Sequence, residues 1–262
     1  MTAHHIRYEV DPDGIATLTI DRAEKRNAMT WAMLGAFHEA VARASADDKV
    51  RVLIVTGTGG SFCAGTDLAD LANTPEAERG SNRAARAAAE PWPLVACPKP
   101  VIGAIDGTAV GMGAEFTSQC DVRIITPRTR IAWNFAHRGL VPDTGAGSWL
   151  LPRIIGPHRA LRLLYTGDFL LAPEALAIGY AAEIVEPDSL VDAALTEARR
   201  YLKSSPFSIR HTKALVWKGL ERDLNEHMAA HRQALEACFQ SADHKEGVAS
   251  FLERRPANFI GR

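Results

Sequence analysis

The sequence has few cysteines and no long apolar run. Its four cysteines are widely spaced along 262 residues and form no CxxC pair, so we expect buried, reduced thiols rather than a disulfide framework. No apolar stretch approaches the ~18 residues that a membrane-spanning helix needs. The first ten residues are polar and lack the apolar core of a secretory signal. These absences predict a cytoplasmic protein with no membrane partner.

An excess of charge of one sign is also missing. Lys and Arg number 30 and Asp and Glu number 31, which gives a net charge of −1. Such a balance leaves no electrostatic footprint for nucleic acid or for an anionic membrane. With 47% hydrophobic and 23% charged residues, the composition is ordinary for a globular protein. The length predicts one large domain, or a main domain with an appendage.

The sequence lacks the complete form of common motifs that bind dinucleotides or metal ions. Two stretches begin like GxGxxG, but Phe62 and Phe116 occupy the positions of the third glycine, which argues against a dinucleotide site. His227 and His231 are four residues apart but lack the HExxH pattern. We interpret this pair as a surface or interface feature and predict no metal site.

Hydrophobic patterns predict strands that alternate with helices. Residues 6–10 and 15–20 alternate around a turn at 11–14, which is typical of a hairpin. Residues 50–56 and 100–105 are more uniformly apolar, as expected of buried strands. Repeated strand-then-helix units indicate an α/β fold with mainly parallel pairing.

Cap residues mark three helix starts. Thr30 is a plausible N-cap for the helix that follows it. Ser189 with Asp192 resembles a capping box. Pro206 suits the first position of a further helix.

The chain changes character after Val185, where strand patterns stop. We predict a core of residues 1–200 and a helical C-terminal region of residues 201–262. One helical face of that region carries Leu224, Met228, His231, Leu235 and Phe239. Packing against a partner subunit would bury this apolar stripe.

Two glycine-containing stretches, residues 61–68 and 106–115, share a local pattern. We interpret each as a loop that leaves a strand and enters a helix. Together they would aim two backbone N–H groups at one point. Two converging donors suit an acyl oxygen that gains negative charge during a reaction.

Two carboxylates are candidates for proton transfer beside these loops. Glu115 is flanked by Ala114 and Phe116, which favours a position in a pocket over one on a helix surface. Asp143 has two interpretations, either an N-cap for a helix starting at Thr144 or a catalytic carboxylate.

These stretches belong to a pattern that runs nearly end to end, through residues 25–29, 62–68, 100–107, 120–121, 139–143 and 251–259. In them the sequence resembles the enoyl-CoA hydratase/isomerase (crotonase) superfamily. The resemblance implies a spiral of ββα units with a helical C-terminal trimerisation region. It also implies an acyl-coenzyme A substrate, a homotrimer or a dimer of trimers, and no cofactor beyond the coenzyme A of the substrate.

Site residues follow from the resemblance, position by position. The backbone N–H groups of Thr66 and Met112 would form the oxyanion hole. Glu115 matches the first of two catalytic glutamates in family hydratases, whereas Phe135 stands where the second is found. Asp143 matches the catalytic aspartate of some family isomerases, which favours the catalytic interpretation of this residue.

Coenzyme A would be held beside the first loop. Lys25 and Arg26 match positions that contact this part of the ligand, and Arg22 is a weaker candidate. Ala64, through its carbonyl, and Leu68 would line the adenine and pantetheine path. Residues 73–93 are expected to shape the acyl pocket.

The sequence therefore predicts an enzyme that shifts a double bond in an enoyl-CoA. Asp143 would shuttle the proton, Glu115 would assist, and the two amides would hold the enolate oxygen. An enoyl-CoA hydratase that uses Glu115 and Asp143 as its two carboxylates is the alternative. A CoA-binding protein of low turnover is a further possibility.

Overall fold

The computed structural model describes residues 2–73 and 92–262. Its strands form two sheets. In chain order the strands are β1 (Thr2–Ala3), β2 (Ile6–Val10), β3 (Ile15–Ile20), β4 (Val52–Gly57), β5 (Ser61–Cys63), β6 (Val101–Ile105), β7 (Thr108–Val110), β8 (Val122–Ile125), β9 (Arg130–Ala132), β10 (Leu170–Leu171) and β11 (Glu183–Ile184).

Helices surround these sheets and make up the C-terminal part. They are α1 (Trp31–Ala46), α2 (Leu68–Asn73), α3 (Pro93–Ala96), α4 (Met112–Gln119), α5 (Ala146–Ile155), α6 (Pro157–Thr166), α7 (Ala172–Ala177), α8 (Leu190–Tyr201), α9 (Pro206–Gly219), α10 (Leu224–Gln240) and α11 (Ala242–Glu253). In the described part of the chain, no helix is both long and apolar enough to cross a membrane.

The larger sheet has the order β1-β2-β3-β4-β6-β8-β11. The hairpin of β2 and β3 is antiparallel, with the bounds that the sequence predicts. From β3 to β11 every pairing is parallel. Strands buried on both faces explain the uniformly apolar β4 and β6. The predicted α/β fold with mainly parallel strands is confirmed.

The smaller sheet has the order β10-β9-β7-β5, and sequence patterns do not reveal it. β5 and β7 lie inside the two glycine-containing stretches that were interpreted as loops. They pair in parallel, with Ser61 opposite Thr108 and Cys63 opposite Ala109, and β9 pairs in parallel with β7. Because the carboxyl ends of parallel strands meet at one edge, the segments that follow β5, β7 and β9 lie side by side.

Helices cover the larger sheet on both faces. On one face Phe37 of α1 stacks on Phe116 of α4, with ring centroids 4.6 Å apart. On the other face α8 buries Leu190, Ala194 and Ala198 against strand residues such as Val52. Helix α4 is buried along its whole length, so its first turn has a fixed position.

The predicted helix starts have mixed outcomes. Thr30 accepts a hydrogen bond from the Met33 backbone N–H at 3.2 Å, as an N-cap does. Pro206 is the first residue of α9, as predicted. The capping box at Ser189 is wrong, because the Ser189 side chain makes no cap hydrogen bond to α8. A short 3-10 turn over Pro187–Ser189 leads directly into that helix.

A buried ion pair fastens α9 to the core. Lys213 Nζ donates to Asp121 Oδ2 at 2.8 Å and to the carbonyls of Leu94 and Lys99 at 3.0 Å. The Trp217 indole N–H donates to the other Asp121 oxygen at 3.0 Å. The Lys213 side chain is 8% exposed and the Asp121 side chain is 22% exposed, so the lysine is shielded from water and the carboxylate is partly shielded.

Replacing Lys213 by Met is expected to lower the free energy of unfolding by about 3 kcal/mol, because removing one partner of a buried pair leaves the other uncompensated. Chemical denaturation at fixed protein concentration measures this change. Lys218→Met, on the exposed face of the same helix, is the matched control and should change stability by less than about 0.5 kcal/mol. Equal stabilities of the two variants would contradict the assigned role of Lys213.

The helices beyond α9 leave apolar side chains on the surface. The Leu224 side chain is 74% exposed, Phe251 is 82% exposed and Leu252 is 75% exposed. The face predicted from Leu224, Met228, Leu235 and Phe239 is exposed in the single chain. The division at residue 200 and the role of residues 201–262 in assembly stay predictions.

Candidate active site

Three segments meet at the carboxyl edge of the smaller sheet. Thr66 lies three residues beyond β5, Met112 two residues beyond β7, and Phe135 three residues beyond β9. These are neighbouring parallel strands, so the three segments are adjacent although they are distant in sequence. A crevice at the carboxyl ends of parallel strands is where α/β sheets bind ligands.

The backbone N–H of Thr66 points away from its neighbouring segment. Met29 N donates to the Gly65 carbonyl at 2.8 Å, and Asp67 N donates to the Met29 carbonyl at 2.8 Å. In a parallel bridge of this kind, the middle residue directs its own N–H to the opposite side. Among residues 2–73 and 92–262, the Thr66 N–H has no hydrogen-bond acceptor.

Met112 is the first residue of α4, so its N–H lies in the first turn, where helix amides have no intrahelical acceptor. Gly111 before it adopts φ 55° and ψ −119°, a conformation for which glycine is suited. A Cβ on Gly65 would lie 3.8 Å from Met112 N. The segments that carry the two amides are therefore in contact at the positive end of a helix.

Glu115 lies one turn further along α4 and is completely buried, which excludes a position on the helix surface. Its Oε1 accepts a hydrogen bond from the Gly147 backbone N–H at 2.6 Å. Its Oε2 contacts the Thr144 hydroxyl, which donates to it. Gly147 has no room for a side chain, since a Cβ there would lie 2.5 Å from Glu115 Oε1.

The pKa of Glu115 is raised from 4.5 to about 7. Burial is the largest cause, because it disfavours the charged form. The negative charge of Asp143 raises the pKa further, whereas the hydrogen bonds from Thr144 and Gly147 lower it. A carboxyl with such a pKa exchanges a proton near neutral pH, as a general acid or base requires.

Glu115→Gln should become more stable relative to the wild type as pH rises. Folding raises the pKa of Glu115, so the folded protein holds this proton more tightly than the unfolded chain. That stabilisation is present at acidic pH and is lost as pH rises from 4.5 to about 7. Gln resembles the protonated carboxyl and cannot ionise, so the free energy of unfolding of the variant does not fall in this way as pH rises.

At about 1.4 kcal/mol per pH unit, the relative gain is of the order of 3 kcal/mol. Denaturation of both proteins between about pH 5 and about pH 8 measures it, at one protein concentration. A difference in stability that is constant over this range would contradict the raised pKa of Glu115.

Asp143 lies half-buried in the turn before α5, close enough for its charge to act on Glu115. The interpretation of Asp143 as an N-cap is wrong, because α5 begins at Ala146 and Gly145 is its N-cap. The turn is held from outside by Trp92, whose indole N–H donates to the Thr144 carbonyl at 2.9 Å. The turn therefore holds the Asp143 carboxylate where its charge acts on Glu115.

Phe135 places an apolar ring at the same edge. It is 8% exposed, and its Cζ would lie 3.8 Å from a Cβ on Gly111, the residue before Met112. The side chain at this position is therefore one that cannot accept a proton or orient water.

The residues predicted to hold coenzyme A lie beside the first loop. Lys25 and Arg26 have exposed side chains, and the Arg26 carbonyl accepts hydrogen bonds from Ala64 N at 3.0 Å and Ser61 Oγ at 3.2 Å. Leu68 is 58% exposed at the start of α2. Ala64 and Leu68 flank Thr66 in the sequence, and the hydrogen bond from Ala64 N fixes the Arg26 backbone beside the first loop.

Arg22, the weaker candidate for binding phosphate, has a different role. Its Nη1 pairs with Asp67 Oδ2 at 2.7 Å and donates to the Ala28 carbonyl at 3.0 Å. The hydrogen bond from Arg22 holds the pKa of the Asp67 carboxyl below its usual value. Arg22 thereby fixes the residue that follows Thr66.

Sequence reasoning missed the residues that fasten this site. Asn27 is completely buried and donates to the carbonyls of Thr58 at 2.9 Å and Ser61 at 2.6 Å. The available signal was its residue type, since Asn tolerates the left-handed conformation that Asn27 adopts with a φ of 59°. Thr144 and Gly147 carried no local signal, since their partner Glu115 is about thirty residues earlier.

The remaining expectations concern the acyl pocket and metal binding. Of the acyl-pocket segment, residues 73–93, positions 74–91 lie outside the described residues. Within residues 2–73 and 92–262, no group of three His, Cys, Asp or Glu side chains is arranged to hold a metal ion.

The chain is similar to members of one protein family over most of its length. A model of the family described as "Enoyl-CoA hydratase/isomerase" matches residues 11–262. The chain is 35% identical to crotonyl-CoA hydratase of Syntrophomonas wolfei over 95% of each chain. It is 33% identical to 1,2-epoxyphenylacetyl-CoA isomerase of Escherichia coli, over 95% of this chain and 96% of that one.

A protein of known crystal structure has the same fold. The crystal structure of an enoyl-CoA hydratase from Bacillus anthracis superposes with a TM-score of 0.92 and 28% identity, over 99% of this chain and all of that one. The expected mixed α/β fold with C-terminal helices is confirmed by this match. The names of the curated relatives are mostly those of hydratases.

Proposed function

Because the chain belongs to the enoyl-CoA hydratase/isomerase family, we propose that it binds an enoyl-CoA thioester and shifts the double bond of the acyl chain. The observation that carries this proposal is the arrangement at the edge of the smaller sheet. Two backbone amides lie on adjacent segments, and the first turn of α4 carries both the Met112 amide and the buried Glu115 carboxyl, on which the charge of Asp143 acts. This set suits a reaction that passes through a thioester enolate.

In the proposed step a carboxylate removes a proton from C2 of a 3-enoyl thioester. The electron pair of that C–H bond delocalises over C2–C4 and the thioester oxygen, which forms a dienolate. The N–H groups of Thr66 and Met112 donate to that oxygen, each with a contribution of about 3 kcal/mol. The proton then returns to C4, which leaves the 2-enoyl product with no net change of atoms.

The two carboxyl groups have separate parts in this scheme. Asp143 carries the proton between C2 and C4. Glu115, with a pKa of about 7, assists from the buried side of the pocket. Lys25 and Arg26 would bind the phosphates of coenzyme A, while the Ala64 carbonyl and Leu68 line the path of its adenine and pantetheine portions.

Hydration of a 2-enoyl-CoA is the second candidate, and the hydratase names of several relatives favour it. In that reaction Glu115 and Asp143 would share one water molecule. Phe135 favours the double-bond shift. It stands where the resemblance to family hydratases implies a second glutamate, and its apolar ring cannot bind the attacking water. A CoA-binding protein of low turnover is the remaining alternative.

One assay separates these candidates. Purified protein is given a 3-enoyl-CoA or a 2-enoyl-CoA in water enriched in the heavy oxygen isotope, and the products are analysed by mass spectrometry. Isomerisation without the heavy isotope is the expected result. Efficient formation of a labelled 3-hydroxyacyl-CoA without isomerisation would overturn the preference. No turnover of either, with Glu115→Gln unchanged in CoA binding, would favour the binding protein.

We also propose that the chain assembles as a homotrimer or as a dimer of trimers through residues 201–262. The exposed Leu224, Phe251 and Leu252 side chains support an apolar contact there. Sedimentation analysis of the purified protein tests the assembly. A monomer at micromolar concentration would contradict it.

A further inference from the structure

The two oxygens of Glu115 have unequal partners. On Oε1 the partner is the backbone N–H of Gly147, at 2.6 Å, which donates and cannot accept. On Oε2 the partner is the Thr144 hydroxyl, which can do either. The Ala146 backbone N–H lies 3.3 Å from Thr144 Oγ1 and donates to it, which leaves the Thr144 proton directed at Oε2.

This difference decides where Glu115 can hold a proton. A proton on Oε1 would face the Gly147 N–H, so two donors would oppose each other. A proton on Oε2 meets a hydroxyl that can turn and accept it. As long as Glu115 is ionised, the same hydroxyl donates a charge-assisted hydrogen bond to it. That bond is about twice as strong as the one between the neutral groups, so the net effect of the hydroxyl favours the charged form.

We propose that Thr144 is a positioning residue that directs the proton of Glu115 to Oε2 and weakens the hold of the carboxylate on that proton. Wherever the effect is read through turnover, it rests on the proposed function. The hydroxyl keeps Glu115 able to release its proton although the carboxyl is completely buried.

Of the groups named here around Glu115, the Thr144 hydroxyl is the one that can either donate or accept a hydrogen bond. The charge of Asp143, in the same turn as Thr144, acts in the opposite direction and strengthens proton binding. Trp133, fully buried after β9, packs closely against Gly147. At the far end of α4, the buried Arg123 guanidinium donates to the carbonyls of Thr117 and of the C-cap residue Cys120.

The test is an infrared titration of the Glu115 carboxyl, which needs no substrate. The band is assigned by its absence in Glu115→Gln. Thr144→Val removes the hydroxyl and keeps the side-chain shape, and Thr144→Ser restores the hydroxyl. We expect the titration midpoint of Thr144→Val to move to higher pH by about one unit, a tenfold change in proton affinity, while Thr144→Ser titrates with the wild type.

Kinetics provide the second readout. In the pH profile of kcat/KM, the limb that reflects ionisation of Glu115 should shift to higher pH by about one unit in Thr144→Val. It should not shift in Thr144→Ser. If Thr144→Val does not fold, Thr144→Ala replaces it in both measurements.

The two proposals fail separately. Coincident infrared titrations of wild type and Thr144→Val would overturn the role of Thr144, whatever the enzyme does with enoyl-CoA. A shifted titration in a protein that turns over no enoyl-CoA would support the role of Thr144 and overturn the proposed function.

Discussion

Asp143→Asn should lower kcat for the double-bond shift by about 10³-fold, within the range for loss of a positioned general acid or base. Asn has the same shape as Asp but cannot accept a proton from C2 near neutral pH. The change should leave the fold intact, because α5 begins at Ala146 with Gly145 as its cap. Steady-state kinetics with a 3-enoyl-CoA, together with chemical denaturation, separate the two effects.

Asp168→Asn is the matched control, since Asp168 is an exposed carboxylate after α6. It should retain the activity and stability of the wild type. Full activity of Asp143→Asn would remove Asp143 from the mechanism and leave Glu115 as the candidate for proton transfer.

Gly65→Ala should lower kcat by about 10²- to 10³-fold, the effect of losing one oxyanion donor. Gly65 has a φ of 97°, and a Cβ there would lie 2.8 Å from the Val110 carbonyl oxygen. The loop would have to move away from the segment that leads into Met112. That movement would separate the Thr66 amide from the Met112 amide without altering either carboxylate.

A strained glycine elsewhere controls for the loss of stability in Gly65→Ala. Gly14 has a φ of 84°, and a Cβ there would collide with the Lys49 carbonyl, so Gly14→Ala should also be destabilised by about 1–3 kcal/mol. Its kcat should stay that of the wild type, because the β2–β3 turn is remote from the site. Equal losses of kcat in Gly14→Ala and Gly65→Ala would show that the effect is general destabilisation.

Long and regular elements were predictable because their patterns repeat. The hairpin of β2 and β3 has the bounds expected from alternation, and α1 begins after Thr30 as its cap predicts. The smaller sheet was not predictable, since its strands have two or three residues and show no period. The capping box of α10, at Asp223 and Glu226, was present in the sequence but went unrecognised.

The site shows the same division. Local motifs and a family resemblance predict Thr66, Met112, Glu115 and Asp143 as site residues. The segments of Thr66 and Met112 follow neighbouring strands, Glu115 lies in the first turn of α4, and the catalytic roles of all four stay predictions. Thr144 acts on Glu115 across 29 residues of sequence, and a single sequence gives no sign of such a contact. Packing between α4 and α5, not a motif, selects the groups that set the pKa of Glu115.

The choice between isomerase and hydratase stays a prediction. Phe135 argues for the double-bond shift, whereas the names of the relatives lean towards hydration. The chain belongs to the enoyl-CoA hydratase/isomerase family, and the assay with labelled water decides between the two reactions.

The central claim is that the Thr66 and Met112 amides stabilise an enolate oxygen. A crystal structure of the protein with a bound acyl-CoA tests it most directly. We predict a thioester oxygen about 2.7–3.1 Å from both backbone nitrogens, with Asp143 facing C2 and C4. A thioester oxygen that contacts neither nitrogen, in a fully occupied complex, would contradict the account.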